Sequence, residues 1–164
     1  MSPHFPEVPD PYYAERIRSS FARQAAMTLI GARLTRIEPG LVEIELPHRG
    51  DLTQQHGFFH GGFVGAIADS AGGYAGYTLF PADSSVMTVE FKINFVAPAQ
   101  GEKLIATGRV VRSGRTLTVC ELSVDAVTAD GEHRPCAQGL QTLIRLDGRA
   151  DVPAAATAPP AAVT

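Results

Sequence analysis

The chain has few thiols, few charges and none of the common nucleotide-binding or serine-hydrolase signatures. Its two cysteines, Cys120 and Cys136, form no C-x-x-C pair and lie in apolar-patterned segments. A reduced, intracellular protein whose thiols act as small buried hydrophobes follows as the expectation. Charged residues make up 19% of the sequence and the net charge is −3, with lysine and arginine scattered. No basic patch is available for long nucleic acid. The opening "MSPHFPEVPDPYY" lacks the positive start and apolar core of a signal peptide. The longest apolar stretch holds an aspartate and many glycines, which makes a poor membrane span. The expectation is a cytoplasmic protein with no nucleic-acid or membrane partner. No G-x-G-x-x-G, no G-x-S-x-G and no internal repeat occurs, which disfavours dinucleotide binding and that type of serine hydrolase.

What is present points to one domain. A length of 164 residues suits a single domain with a sizeable core. Four prolines in residues 1–11 read as an extended arm, and the Ala/Pro-rich residues 149–164 as a disordered tail. The domain between them spans 12–148. Asp10-Pro11 is a helix-start signal, and Tyr13, Ile17, Phe21 and Ala25 recur every fourth position. A short helix is therefore predicted over about 12–25. Pro39-Gly40 divides two alternating runs into a hairpin, with Val42, Ile44 and Leu46 facing one way. A long apolar helix is predicted over about 61–80.

After it, "VMTVEFKINFV" alternates apolar Met87, Val89, Phe91, Ile93 and Phe95 with polar Thr88, Glu90, Lys92 and Asn94. That is the pattern of a half-buried strand. Turns at Ser113-Gly114 and Asp130-Gly131 join the strands that follow. Alternating strands need one covered face, and only one long helix is available to cover it. The predicted fold is α+β: a curved antiparallel sheet of five to six strands wrapped around the long helix.

That helix carries the chemistry. Between Gly61 and Phe80 it has six glycines, four alanines and one charged residue, Asp69. The residues three and four away from Asp69 are Gly65, Ala66, Gly72 and Gly73, all small. The carboxylate therefore faces a gap. One reading is a solvated stripe or a bond to neighbouring backbone; the other is a nucleophile or general base at a cleft. The lead-in "QQHGFFHGG" supplies His60-Gly61-Gly62 at the helix start, where free N–H groups and a partial positive charge suit an oxyanion. The glycines allow close approach of a substrate. His60 and Asp69 are nine residues apart, about 13–14 Å along a helix, so one chain's pair cannot easily meet at one atom. A site shared between subunits resolves this. His56 and His60 have a metal-like spacing but no clear third ligand.

The run "HGGFVGAIADSAGGYAGY", followed by "TVEFKINFVAPAQGEKLIATGRVVRSGRTLTVCELSV", resembles a hotdog-fold acyl-CoA thioesterase. The nearest branch is that of the phenylacetate-pathway thioesterases, and the likeness covers residues 30–146. The resemblance implies Asp69 as nucleophile or general base and the Gly61 N–H as donor to the thioester carbonyl oxygen. It implies that His60 orients that turn. Gln54, fifteen residues before the acid, matches the family's polar amide, with Gln55 adjacent. Thr88 matches a water-positioning Ser or Thr, with a one-residue insertion between it and the acid. Gly73 stands where other members carry a Thr.

The resemblance further implies an acyl-CoA substrate, no metal or redox cofactor, and a homodimer or homotetramer with sites between subunits. Gly62, Arg112, Gly114 and Arg115, with Lys103, are the candidates for contacting CoA; single solvated charges at a hairpin explain the basic residues equally well. Phe58, Phe59 and Tyr74 are candidates for an acyl pocket, or plain core. Two alternatives stay open: a hydratase or dehydratase on the same fold, and a non-catalytic acyl-CoA sensor.

Overall fold

Alternation and glycine placement together explain the architecture. A computed structural model describes residues 8–149 and residue 151. Most of the arm assigned to 1–11 and most of the tail assigned to 149–164 lie outside the described residues. The elements are α1 (Tyr13–Arg23), α2 (Ala25–Ile30), β1 (Arg33–Glu38), β2 (Leu41–Pro47), a 3-10 turn (Gly50–Leu52), α3 (Gly61–Tyr77), β3 (Ser84–Phe95), β4 (Lys103–Ser113), β5 (Leu117–Val127) and β6 (His133–Asp147). The six strands make one antiparallel sheet in the order β1-β2-β4-β5-β6-β3. α3 packs on its inner face, against Ile44, Leu104, Ala106, Leu122 and Leu143, all fully buried. This is an α+β hotdog fold, as the resemblance implied.

The first helix differs from its predicted span. The chain breaks at Gln24, whose backbone is extended, and a second short helix follows. Ala25 is thereby left exposed, while Met27 and Ile30 enter the core. α2 stops at Gly31, whose φ of 76° is left-handed; the Gly31 and Ala32 N–H groups then bond back to Thr28 and Met27. α1 in turn closes the end of α3. The Arg16 guanidinium donates to the carbonyls of Tyr77, Phe80 and Pro81 and lies 4.2 Å over the Tyr77 ring. These contacts tie α1 to the last turn of α3 and to the loop that follows it.

The strand β3 also differs from expectation. Met87, Val89, Phe91 and Phe95 are 58%, 55%, 41% and 56% exposed rather than half-buried. β3 is the last strand of the sheet, so one of its edges pairs with nothing among the described residues. Its register slips between Thr88 and Glu90, leaving Val89 unpaired. Such a bulge inverts the side-chain phase. Thr88 pairs with Leu143 and Phe91 with Gln141, so all four share the helix-facing side although Thr88 and Phe91 are three residues apart.

The close fit of helix and sheet is testable. A Cβ at Gly108 on β4 would overlap the Ala71 carbonyl and the Gly72 N–H of α3, which are rigid backbone. A Cβ at Gly73 meets nothing within 4 Å. Gly108→Ala is expected to cost about 2–3 kcal/mol and to lower Tm by roughly 5–10 °C. Gly73→Ala, which gains up to about 1 kcal/mol of helix propensity, leaves Tm unchanged or raises it. Thermal melts of the two variants check the contrast; equal melts would remove the close-approach argument.

Candidate active site

Asp69 lies midway along α3, half-buried. Its Oδ1 accepts from Thr88 Oγ1 at 2.7 Å and from Gln141 Nε2 at 2.5 Å. Gln141 Nε2 also lies 3.0 Å from Thr88 Oγ1 and 3.1 Å from the Asp69 carbonyl oxygen. Among the described residues nothing donates to Oδ2. The carboxylate is thus tied at one oxygen and open at the other.

The open side faces a cavity of about 390 Å³ between α1, α3 and β3. Asp69, Ser70, Gly73 and Thr88 line it near the carboxylate, and Val86 and Tyr77 add apolar wall. Its far end is polar. Ser20 Oγ and Tyr74 Oη are 3.1 Å apart, and Arg23 pairs with Asp151 at 2.8 Å. Burial pushes the Tyr74 and Tyr77 hydroxyls above the usual tyrosine pKa, so both are neutral donors at physiological pH. Tyr74 is buried in the core cluster and also borders the cavity.

The helix start is a separate assembly. His60 is the N-cap of α3, and its Nδ1 accepts from the Gly62 N–H at 2.9 Å. The acceptor role leaves Nε2 as the protonated nitrogen. Among the described residues no group accepts from the Gly61 N–H, which is free at the positive end of the helix. The Phe95 ring covers this glycine; a Cβ there would lie 3.1 Å from Cζ. Gln54 sits in the preceding turn, its side-chain oxygen taking the His56 N–H and its backbone bonding Phe58 and Gly57. Phe59 is core, stacked edge-on against His48, and Phe58 is half-buried. Arg112, Gly114 and Arg115 lie at the β4–β5 hairpin, where both arginines are exposed.

The structure therefore brings Asp69 and Thr88 together and leaves His60, Gly61 and Gln54 apart from them, at the start of the helix. Gln141 was absent from the sequence reading. A signal existed: along β6 the inward positions are Ala137, Gly139, Gln141 and Leu143, and a lone amide interrupts that row. Gln141 is fully buried. The cysteines are inert by environment. Burial pushes the Cys120 thiol up to about 12 and the Cys136 thiol up to about 11. Among the described residues no three metal-ligating side chains cluster, and no helix is long and apolar enough to cross a membrane.

Comparison with known proteins converges on one group. Residues 56–130 match the family model described as the thioesterase superfamily. The crystal structure of a thioesterase family protein from Silicibacter pomeroyi has a TM-score of 0.81 and 47% identity, covering 83% of this chain and 99% of that one. The proofreading thioesterase EntH of Klebsiella pneumoniae is 30% identical over 107 residues, which cover 65% of this chain and 75% of EntH. The E. coli PaaI protein, from the phenylacetic acid degradation operon, has a TM-score of 0.72 at 18% identity, covering 84% of this chain and 96% of PaaI. At that identity the likeness is one of fold.

Proposed function

Because this chain belongs to the thioesterase superfamily, we propose that it hydrolyses an acyl- or aryl-acyl-CoA thioester to the free acid and CoA. The observation that carries the reading is the Asp69 carboxylate, held at Oδ1 by Thr88 and Gln141 and open at Oδ2 to a cavity. Oδ2 attacks the thioester carbon or takes a proton from the water that does. A free helix-start N–H, that of Gly61, receives the charge developing on the carbonyl oxygen. In the general-base route, collapse of the tetrahedral intermediate breaks the C–S bond and the proton held by Asp69 passes to the leaving CoA thiolate. In the nucleophilic route, collapse leaves CoA thiolate and an Asp69 acyl anhydride, which water then hydrolyses to the free acid, regenerating the carboxylate and supplying the proton of the thiol.

Within one chain Gly61 and Asp69 are about 12 Å apart along α3, so we take the working unit to be a dimer. The exposed edge of β3 supports this. This twelve-residue strand has its outer edge unpaired among the described residues, with Met87, Val89, Phe91 and Phe95 exposed along it, and an unpaired apolar edge is a template for a further strand. Antiparallel self-pairing about a two-fold axis near Phe91 and Lys92 sets position 88 of one copy opposite position 95 of the other. Thr88 holds Asp69, and Phe95 covers Gly61. The pairing thus carries one copy's carboxylate to the other copy's helix start.

The reading is tested by CoA release from a panel of aryl and straight-chain acyl-CoAs. Hydrolysis of at least one member at a rate well above the uncatalysed reaction is expected. Tight binding of a member with no release from any would transfer the site to a sensor.

A further inference from the structure

Gln141 is a costly residue where it stands. It is fully buried on β6, in a row whose other members are apolar or glycine. Its Oε1 has no hydrogen-bond partner among the described residues. That oxygen is pressed against Gly72 of α3, where a Cβ would overlap it. A buried acceptor without a donor opposes folding, and an apolar side chain of similar size would avoid the cost. The side chain is therefore explained by its other end, where Nε2 reaches Asp69 and Thr88.

The orientation of the amide is fixed by the same contacts. An ionised carboxylate only accepts, so the face toward Asp69 must be the NH₂ group. Both donors to the carboxylate converge on Oδ1. The carboxylate plane is then set, and the second oxygen is turned to the cavity.

We propose that Gln141 is a positioning residue for Asp69, clamping Oδ1 jointly with Thr88 so that Oδ2 alone meets the thioester or its attacking water. This rests on Asp69 being the reacting carboxylate. Gln141 touches no reacting atom; it acts through the geometry of Asp69.

Two substitutions separate this role from packing. Gln141→Leu keeps the volume and removes the donor. With Tm near that of wild type, it is expected to lower kcat about 10²-fold with little change in KM, because a misaligned group loses rate rather than binding. Gln141→Glu restores a donor only while protonated. Two carboxyls this close do not both ionise readily, and a shared proton leaves one base and one O–H donor. Relative to wild type at each pH, its kcat is expected to be near normal at about pH 6 and to fall at least tenfold by about pH 9.

The surroundings are the same in both proteins. They comprise Cys120 on β5, Tyr74 and Tyr77 on α3, Arg23 on α1 and Asp151 across the cavity; Glu90 on β3 bonds Thr142 on the opposite face of the sheet. Burial keeps Cys120, Tyr74 and Tyr77 protonated throughout this range. A folded Gln141→Leu with wild-type kcat, or a Gln141→Glu profile parallel to wild type, overturns the proposal. Should Gln141→Leu fail to fold, the Gln141→Glu profile decides alone. The underlying reading fails separately: an active Asp69→Asn variant removes the base whatever Gln141 does.

Discussion

Asp69→Asn is expected to fold like wild type and to lose about 10³-fold in kcat for thioester hydrolysis. The stability half of this result follows from where the hydrogen bonds fall. Both Thr88 Oγ1 and Gln141 Nε2 donate to Oδ1. The asparagine carbonyl accepts both in the same place, and its NH₂ group occupies the position of Oδ2, which bonds nothing in the described structure. The substitution thus removes the open oxygen and little else. A neutral amide neither attacks a thioester nor takes a proton from water, so the loss belongs to kcat and not to KM. Initial rates of CoA release across substrate concentration, with a melt of each protein, check both halves. A folded Asp69→Asn enzyme with wild-type kcat would show that the carboxylate is structural. A variant that melts much lower would show that Oδ2 has a partner in the assembled protein.

Much of this site was legible because helices have fixed geometry. Asp69 stood out as the one charge in an apolar, glycine-rich helix, and its distance from His60 followed from rise per residue alone. The strands of β2, β4 and β5 kept their alternation, so their buried rows follow the sequence. β3 did not. Period two assigns Thr88 to the face opposite Phe91, and nothing in "VMTVEFKINFV" announces that Val89 is bulged out of the ladder. Only the resemblance pointed to Thr88. Gln141 was hidden for a related reason. "CAQGLQTLIRL" offers leucines in both phases, and Leu140, in the wrong one, is 55% exposed. Which phase faces the helix depends on pairing with β5 and β3, a long-range fact. The break at Gln24 is likewise tertiary. Four-residue periodicity continued smoothly to Ala25, yet packing of Met27 and Ile30 against the core won.

Mixing two inactive proteins is expected to restore about a quarter of wild-type activity. One parent carries Asp69→Asn. The other carries Gly61→Pro, which deletes the free N–H at a first helical position that tolerates proline. Each homodimer lacks one component at both of its sites. Random exchange of equal amounts gives about half heterodimers. In each heterodimer one site has both lesions, and the other combines an intact Asp69 with an intact Gly61 from the opposite chain. One good site in half of the dimers is about a quarter of the original number. The prediction discriminates because a site contained in one chain gives no such gain: every chain in the mixture is defective. Subunit exchange is monitored with differently tagged parents and native mass spectrometry, and CoA release is measured on the purified heterodimer. The heterodimer should then reach about half the wild-type rate per dimer. A confirmed heterodimer without activity, with each parent folded, would place carboxylate and oxyanion donor in the same chain. The two-fold pairing of β3 that joins position 88 to position 95 would then have to be abandoned.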